Sequence, residues 1–336
     1  VDDPMTRAWG RPHPAVAAIR SAVRATLAEC EPGDLVLVAC SGGADSTALA
    51  DAARFEGARA GLRVGAVVVD HGLQDGSRDV ADQAGARLRT LGTDPVLVTS
   101  TWAMADTSDG LEAMARAARY RALDEAADHL GARLVLLGHT RDDQAEQVLL
   151  GLARGSGARS LAGMPAARDR YRRPLLAVTR RQTREACTAE GLTWWQDPMN
   201  EDPAFTRVRA RRALADLEAD LGPGLAAALA RTAAQLREDA DLLDALADAA
   251  VASLGDVGPW DVEALAALPR PVRTRTWRRL LTAAGAPAGQ LTSRHTDACD
   301  RLLTHWHGQG PVHLPGGRRA TRSDGRVSIA PAARVE

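Results

Sequence analysis

The sequence predicts an α/β protein: an N-terminal domain built on a parallel sheet, then a helical region, then a small C-terminal domain. Three observations carry this. Four short apolar runs alternate with helical patterns over residues 15–152, and such alternation implies a parallel sheet covered by helices on both faces. The runs show no polar alternation, which is the mark of strands buried on both sides. Further on, 225–253 is Ala/Leu-periodic and 308–330 resembles short strands and turns.

Residues 15–29 read as a helix with Ala, Val, Ile and Leu on one face. The first strand, Asp34-Leu-Val-Leu-Val-Ala-Cys40, runs into Ser41-Gly42-Gly43-Ala44-Asp45-Ser46-Thr47 and a helix over 47–56. Gly42 and Gly43 can take backbone angles denied to other residues. Ser46 or Thr47 can cap the helix, whose N–H groups and dipole favour a phosphate. The second strand, Val64-Gly-Ala-Val-Val-Val69, closes on Asp70-His71-Gly72, and Ser77 can cap a helix through 91. Pro95-Val-Leu-Val-Thr99 is the third strand and 111–130 a long helix. Arg133-Leu-Val-Leu-Leu-Gly138 is the fourth; it ends at His139 and leads into a helix over 142–152. Ligands gather at the carboxyl ends of parallel strands. Three such ends here carry polar groups: 41–46, Asp70 with His71, and His139 with the acids after it.

The pattern changes after residue 154, where Arg154-Gly-Ser-Gly157 and Leu161-Ala-Gly-Met164 form a Gly-rich connection. Residues 168–184 hold seven Arg around Pro174-Leu175-Leu176. Residues 191–202 are loop-like, with Trp194, Trp195, Asp197, Pro198 and Asn200, and Arg207, Arg209, Arg211 and Arg212 open a helix. Gly and Pro in 255–259 suggest a boundary, so the expected domains are 1–203, 204–255 and 256–336.

Composition narrows the function. Formal net charge is −1 with 42 basic residues, all of them Arg. Global charge therefore announces no nucleic acid, although Arg suits bidentate contacts to phosphate; a bias toward Arg codons explains the usage as well. The four Cys form no C-x-x-C pair, which argues against a zinc knuckle, an iron–sulfur site or a redox pair and for a reduced compartment. Residues 1–14 are polar, and no stretch approaches 18 apolar residues, so a soluble, cytoplasmic protein is expected. A Walker A loop needs Lys after its last Gly, and this chain has no Lys; 41–47 is not a G-x-G-x-x-G either.

Glu112, Arg116, and Arg119 with Tyr120 share one helix face. The spacing also fits a solvated Glu–Arg pair worth about 0.3–0.5 kcal/mol. Asp142, Asp143 and Glu146 open a helix, where acids also simply suit the dipole. Beside a phosphate loop, those carboxylates could hold a magnesium ion or a cationic amine.

Ser-Gly-Gly-x-Asp-Ser resembles the pyrophosphate loop of the N-type ATP pyrophosphatases, which split ATP between its α and β phosphates. The larger ordered set is Ser41-Gly-Gly-Ala-Asp-Ser46, Asp70-His-Gly-Leu73, Glu112-Ala-Met-Ala-Arg116 with Arg119-Tyr120, Gly138-His-Thr-Arg-Asp-Asp-Gln-Ala-Glu146, Arg154-Gly-Ser-Gly157, Arg173-Pro-Leu-Leu176 and Asp197-Pro-Met-Asn200. It is similar to the tRNA(Ile)-lysidine synthase family. The resemblance implies a Rossmann-like, adenine nucleotide alpha hydrolase-like fold and a ligase that uses ATP and magnesium (Mg2+). Such a ligase adenylates the C2 carbonyl oxygen of the wobble cytidine in a CAU-anticodon isoleucine tRNA. Free L-lysine then attacks C2 and AMP leaves.

By the same resemblance, Ser41, Gly42, Gly43, Ala44, Asp45 and Ser46 bind ATP, and Asp45 places magnesium. Arg116 or Arg119 stabilises developing charge, and Asp143 and Glu146 hold lysine or take its proton. Asp70, His71, Glu112, His139 and Asp142 are expected around lysine or the cytidine, the two His being as readily structural. Arg173, Arg207, Arg209 and Arg211 are expected on tRNA phosphates, with Trp194, Trp195 or Phe205 stacking on an unpaired base. A homodimer is compatible. The chain departs from the family pattern at Thr140, where a second His is usual, and at Arg207-Val-Arg-Ala-Arg211, which lacks an Asn. Rival readings are a tRNA thiolase, if folding brings Cys40 to Cys187, a non-catalytic nucleotide-binding module, and a small-molecule amide ligase.

Overall fold

The computed structural model describes residues 11–70, 72, 76–101, 108–155 and 157–332. The chain divides into two compact units, 1–235 and 236–336.

In the first unit α1 (Pro14–Leu27) precedes β1 (Leu35–Ala39), α2 (Ala44–Arg59), β2 (Arg63–Asp70), α3 (Ser77–Leu91) and β3 (Val96–Ser100). Next come α4 (Ser108–Leu130), β4 (Leu134–Leu137), α5 (Arg141–Ala153), the short α6 (Ala158–Leu161) and the strand pair β5 (Ala167–Arg168) and β6 (Tyr171–Arg172). The unit ends with α7 (Arg180–Ala189), α8 (Thr206–Leu221) and the start of α9 (Leu225–Leu254).

The sheet runs β3-β2-β1-β4-β6-β5, parallel except for β5. Every residue of β1 and β4 is buried, and their side chains sort by the two-residue period of a strand. Val36, Val38, Leu134 and Leu136 join the core shared with α1, α2, α3 and α7. Leu35, Leu37, Ala39, Val135 and Leu137 join Leu123, Ala126 and Ala127 of α4 on the opposite face. An unbroken apolar run is thus what a strand between two helical layers requires.

The order 3-2-1-4 means that the chain leaves β1 for one side of the sheet and returns on the other. The crevice at such a reversal, outside the carboxyl ends of β1 and β4, is where open α/β sheets bind ligands. Residues 41–46 and Gly138 with His139 stand at those two strand ends.

The second unit carries the later turns of α9, then β7 (Trp260–Asp261), α10 (Val262–Ala266), α11 (Arg270–Ala283), α12 (Ser293–Thr304), β8 (Val312–Leu314), β9 (Arg318–Ser323) and β10 (Arg326–Pro331). Its antiparallel sheet, β7-β10-β9-β8, bears out the strands expected over 308–330. The core holds Trp260, Trp277, Leu280, Leu281 and Leu302. Much of the basic run on α11 is internal: Arg273 makes a buried bidentate pair with Asp300, and Arg275 and Arg279 pair with Asp244 and Asp248 of α9. The expected boundaries would set 204–255 apart, whereas α8 packs on α5 and stays with the first unit. Among the described residues no helix is long and apolar enough to cross a membrane.

Candidate active site

The loop after β1 is held by its own side chains. Ser46 Oγ accepts from the Ser41 N–H at 3.2 Å, donates to the Gly43 carbonyl at 3.1 Å and lies 3.3 Å from Ser41 Oγ. Gly43 stands at the N-cap of α2 in extended conformation without a side-chain cap, so the first N–H groups of that helix remain available to an anion. Gly42 has φ +80°, and its carbonyl accepts from the Trp195 N–H at 2.8 Å. Gly138, at the end of β4, meets the loop from the other side. A Cβ there would lie 3.2 Å from Asp45 C and from Ser46 N and Cα, so the close approach of strand end to loop depends on a missing side chain.

Behind the loop lie three carboxylates and one guanidinium. Asp45 Oδ1 accepts from the Thr183 hydroxyl, and Asp45 Oδ2 lies 3.8 Å from Arg180 Nε. Burial pushes the Asp45 carboxyl up to about 6, while Thr183 and Arg180 pull it down. Asp143 belongs to a capping box at the start of α5: one oxygen accepts from Thr140 N–H and Oγ1–H at 2.7 and 2.8 Å, the other from Arg180 at 2.8 Å. Burial would raise its pKa, but Arg180 and the Thr140 donors hold it below the usual carboxylate range. Glu146, one turn on, is 3% exposed. Its Oε1 accepts from Arg180 at 3.1 Å and Arg211 at 2.8 Å, and its Oε2 is buried without a partner among the described residues. Burial alone would lower the pKa of Arg180, yet Asp143, Glu146 and Asp45 together raise it.

A cavity of about 400 Å³ is lined by two of these acids, Asp143 and Glu146, and among others by Ser41, Asp70, Arg119 and Trp195. A second, of about 190 Å³, shares Arg119 and Arg207 with it and adds Arg116, Tyr120 and His139. Arg119 has no hydrogen-bond or ion-pair partner among the described residues and is a cation available to a ligand. His139 Nδ1 is buried without a partner among the described residues, and burial pushes the imidazole down to about 3 although Asp143 pulls the other way. Asp70 Oδ1 accepts from the Gly72 N–H at 2.9 Å.

Ser41, Asp45, Asp70, Arg116, Arg119, His139, Asp143, Glu146, Arg207 and Arg211 thus gather beyond the carboxyl ends of the central strands. Other expected residues have different work. Asp142 accepts the Arg180 N–H at 2.8 Å and caps α7. Arg173 does not face solvent as a phosphate-tracking residue would: it is 5% exposed, bound to the Pro165 carbonyl and the Tyr120 hydroxyl. Arg209 folds back on the Pro203 and Ala204 carbonyls at 2.7 and 2.8 Å. His71 and the side chain of Glu112 lie outside the described residues. Arg180 and Thr183 were not singled out from the sequence. Cys40 and Cys187 are buried and free; burial raises both thiols, Cys187 to about 12, which is the reverse of an activated thiolate.

The PP-loop domain model matches residues 17–218, and the model of the TilS substrate binding domain matches 261–328. A tRNA(Ile)-lysidine synthase of Thermobifida fusca is 56% identical over 322 residues, which cover 95% of this chain and 98% of that one. The chain belongs to the tRNA(Ile)-lysidine synthase family. A second tRNA(Ile)-lysidine synthase, of Streptomyces coelicolor, is 52% identical and covers 95% of this chain and 99% of its own. The U34-tRNA thiolase NcsA from Methanococcus maripaludis, solved with its [4Fe-4S] cluster, shares the fold: TM-score 0.53 at 17% identity, over 67% of this chain and 80% of that one. Like other tRNA(Ile)-lysidine synthases, the protein is an ATP-dependent ligase of tRNA modification.

Proposed function

We propose that the enzyme adenylates the wobble cytidine of a CAU-anticodon isoleucine tRNA and joins free lysine to it, in the cytoplasm and with magnesium. The supporting observation is a cavity lined together by Ser41 of the loop, by Arg119 and by Asp143 and Glu146, the last with a buried oxygen that has no partner among the described residues.

The steps divide among the residues as follows. N–H groups of 41–46 and the start of α2 receive the ATP phosphates. Arg119 faces the α-phosphate, where charge accumulates as the cytidine O2 bonds to phosphorus and pyrophosphate leaves. The base enters from the smaller cavity, so its C2 lies at the wall the two cavities share. An amine of lysine, held at Glu146 Oε2, attacks C2; its proton passes to that carboxylate, the C2–O bond breaks and AMP departs. Among the described residues no three His, Cys, Asp or Glu side chains are grouped to hold a metal. Magnesium bound chiefly by phosphates needs only one or two carboxylates, and Asp45 fits, because its Oδ2 takes no hydrogen bond among the described residues. Bound there, magnesium would screen the phosphate charge.

The test uses labelled lysine, ATP, magnesium and a CAU-anticodon isoleucine tRNA transcript. Label at the wobble cytidine, lost when that base is uridine, is the expected result. Asp45→Ala should stop AMP formation and Asp143→Ala should stop lysine transfer. Label elsewhere, or none, would refute the reading.

A further inference from the structure

Arg180 is one of seven Arg in 168–184, yet among the described residues no other Arg of that run pairs with three acids. It opens α7, and its N–H is held by Asp142 at 2.8 Å. Its guanidinium then reaches Asp143 at 2.8 Å and Glu146 at 3.1 Å on α5, and Asp45 at 3.8 Å on α2. Its own side chain is 17% exposed. Thr183, one turn along α7, takes the other oxygen of Asp45. One helix start therefore grips both the phosphate loop and the acid set.

Each carboxylate oxygen can be followed. Asp143 spends one on Thr140 and one on Arg180; Glu146 spends Oε1 on Arg180 and Arg211; Asp45 spends Oδ1 on Thr183. Two oxygens of the trio remain without a hydrogen bond among the described residues: Asp45 Oδ2 and Glu146 Oε2. Both belong to carboxylates that the one guanidinium reaches, Asp45 through Nε and Glu146 through Nη2. Without that charge, Asp45, Asp143 and Glu146 would repel in a low-dielectric pocket with Arg211, on Glu146, to offset only one of them.

We propose that Arg180 is a positioning residue that joins the two halves of the reaction, aiming Asp45 Oδ2 at the ATP side and Glu146 Oε2 at the amine side from a single guanidinium. The ATP half of this statement rests on the loop alone; the amine half rests on the function proposed above. Arg180 acts through the acids and touches no reacting atom.

The test compares wild type, Arg180→Ala and Arg180→Lys. The first readout is the affinity of magnesium α,β-methylene-ATP at one fixed pH, which needs no tRNA and no lysine. With Arg180 gone, Asp45 loses the group that lies 3.8 Å from its Oδ2 and helps to hold it in place, so the affinity should fall about 10-fold in Arg180→Ala. Low-millimolar guanidinium chloride should restore it, and the same concentration of sodium chloride should not. Arg180→Lys keeps the charge but not the fork. It should bind the analogue within about twofold of wild type while lysine transfer falls about 100-fold, the cost of a misplaced reacting group. An affinity that does not fall in Arg180→Ala, or falls without guanidinium rescue, would overturn the proposal. So would Arg180→Lys with unimpaired lysine transfer. If wild type binds the analogue but labels no tRNA, the proposed substrate falls and the amine half with it, whereas the ATP half stands on the binding data.

Discussion

Thr183, in the first turn of α7, donates its hydroxyl to Oδ1 of Asp45, in the first turn of α2. The bond joins the helix that follows β1 to one that starts beyond the whole sheet, and it stabilises the ionised form of a carboxyl that burial pushes up to about 6. Only the ionised form serves a cation. Protonation as pH falls through about 6 should therefore give kcat/KM for ATP an acid limb there, since that parameter reports the free enzyme. Thr183→Val removes a donor to the charged form, so its limb should lie higher. AMP formation followed against pH in both proteins checks this.

The same raised pKa carries a stability cost of the opposite pH sense. An unfolded Asp ionises near its ordinary 3.8, whereas folded Asp45 holds its proton to about 6. The folded form thus loses stability as pH rises through that window, and the loss persists above it. Asp45→Asn abolishes the charge. It should raise the unfolding free energy by about 1–3 kcal/mol at about pH 8 and change little at about pH 4. Denaturant titrations at the two pH values measure the difference; equal effects at both would contradict it.

The central strands β1 and β4 were legible because they bury both faces and leave no polar position to blur the run. Their order was not, since the neighbourhood of β1 and β4 is a pairing across about a hundred residues that no local pattern encodes. The loop of 41–46 could be read as a phosphate site for the same reason that it works as one: its glycines and its helix start are local. Arg180 was hidden among equals. A buried Arg facing three acids and a solvated Arg have one letter, and the capping box of Thr179 and Gln182 that starts its helix is seen in the structure. Arg173 misled in the same way, because its burial under Tyr120 and Pro165 is a tertiary fact.

Gly138 gives a prediction about geometry rather than charge. An added Cβ would sit 3.2 Å from three backbone atoms of Asp45 and Ser46, and backbone cannot swing aside as a side chain tip does. Gly138→Ala should displace the phosphate loop by a few tenths of an ångström, at about 1–3 kcal/mol of stability. The KM for ATP should rise while the KM for lysine holds. Gly157→Ala, where a Cβ meets open space, is the control and should leave both constants unchanged.

His139 should read the base. Its buried Nδ1 has no partner among the described residues, and burial keeps the imidazole neutral, at about 3, so no pH limb from this residue is expected between about 5 and 8. A neutral imidazole can accept a hydrogen bond at Nδ1 when Nε2 carries the proton. Cytosine offers an exocyclic amino donor, and uracil presents a carbonyl in its place. Beside Arg116, Arg119 and Arg207, which donate to acceptors such as O2 and N3, His139 completes a pattern for cytosine. His139→Phe should lower kcat/KM for the tRNA about 10- to 100-fold, the cost of an unpaired buried polar group, and leave ATP-analogue affinity unchanged. A transcript with 2-pyrimidinone at the wobble position keeps the C2 carbonyl and lacks the amino group. Wild type should lose a similar factor on it, whereas His139→Phe should treat it like cytidine. If both proteins lose equally, the amino group is read by another residue.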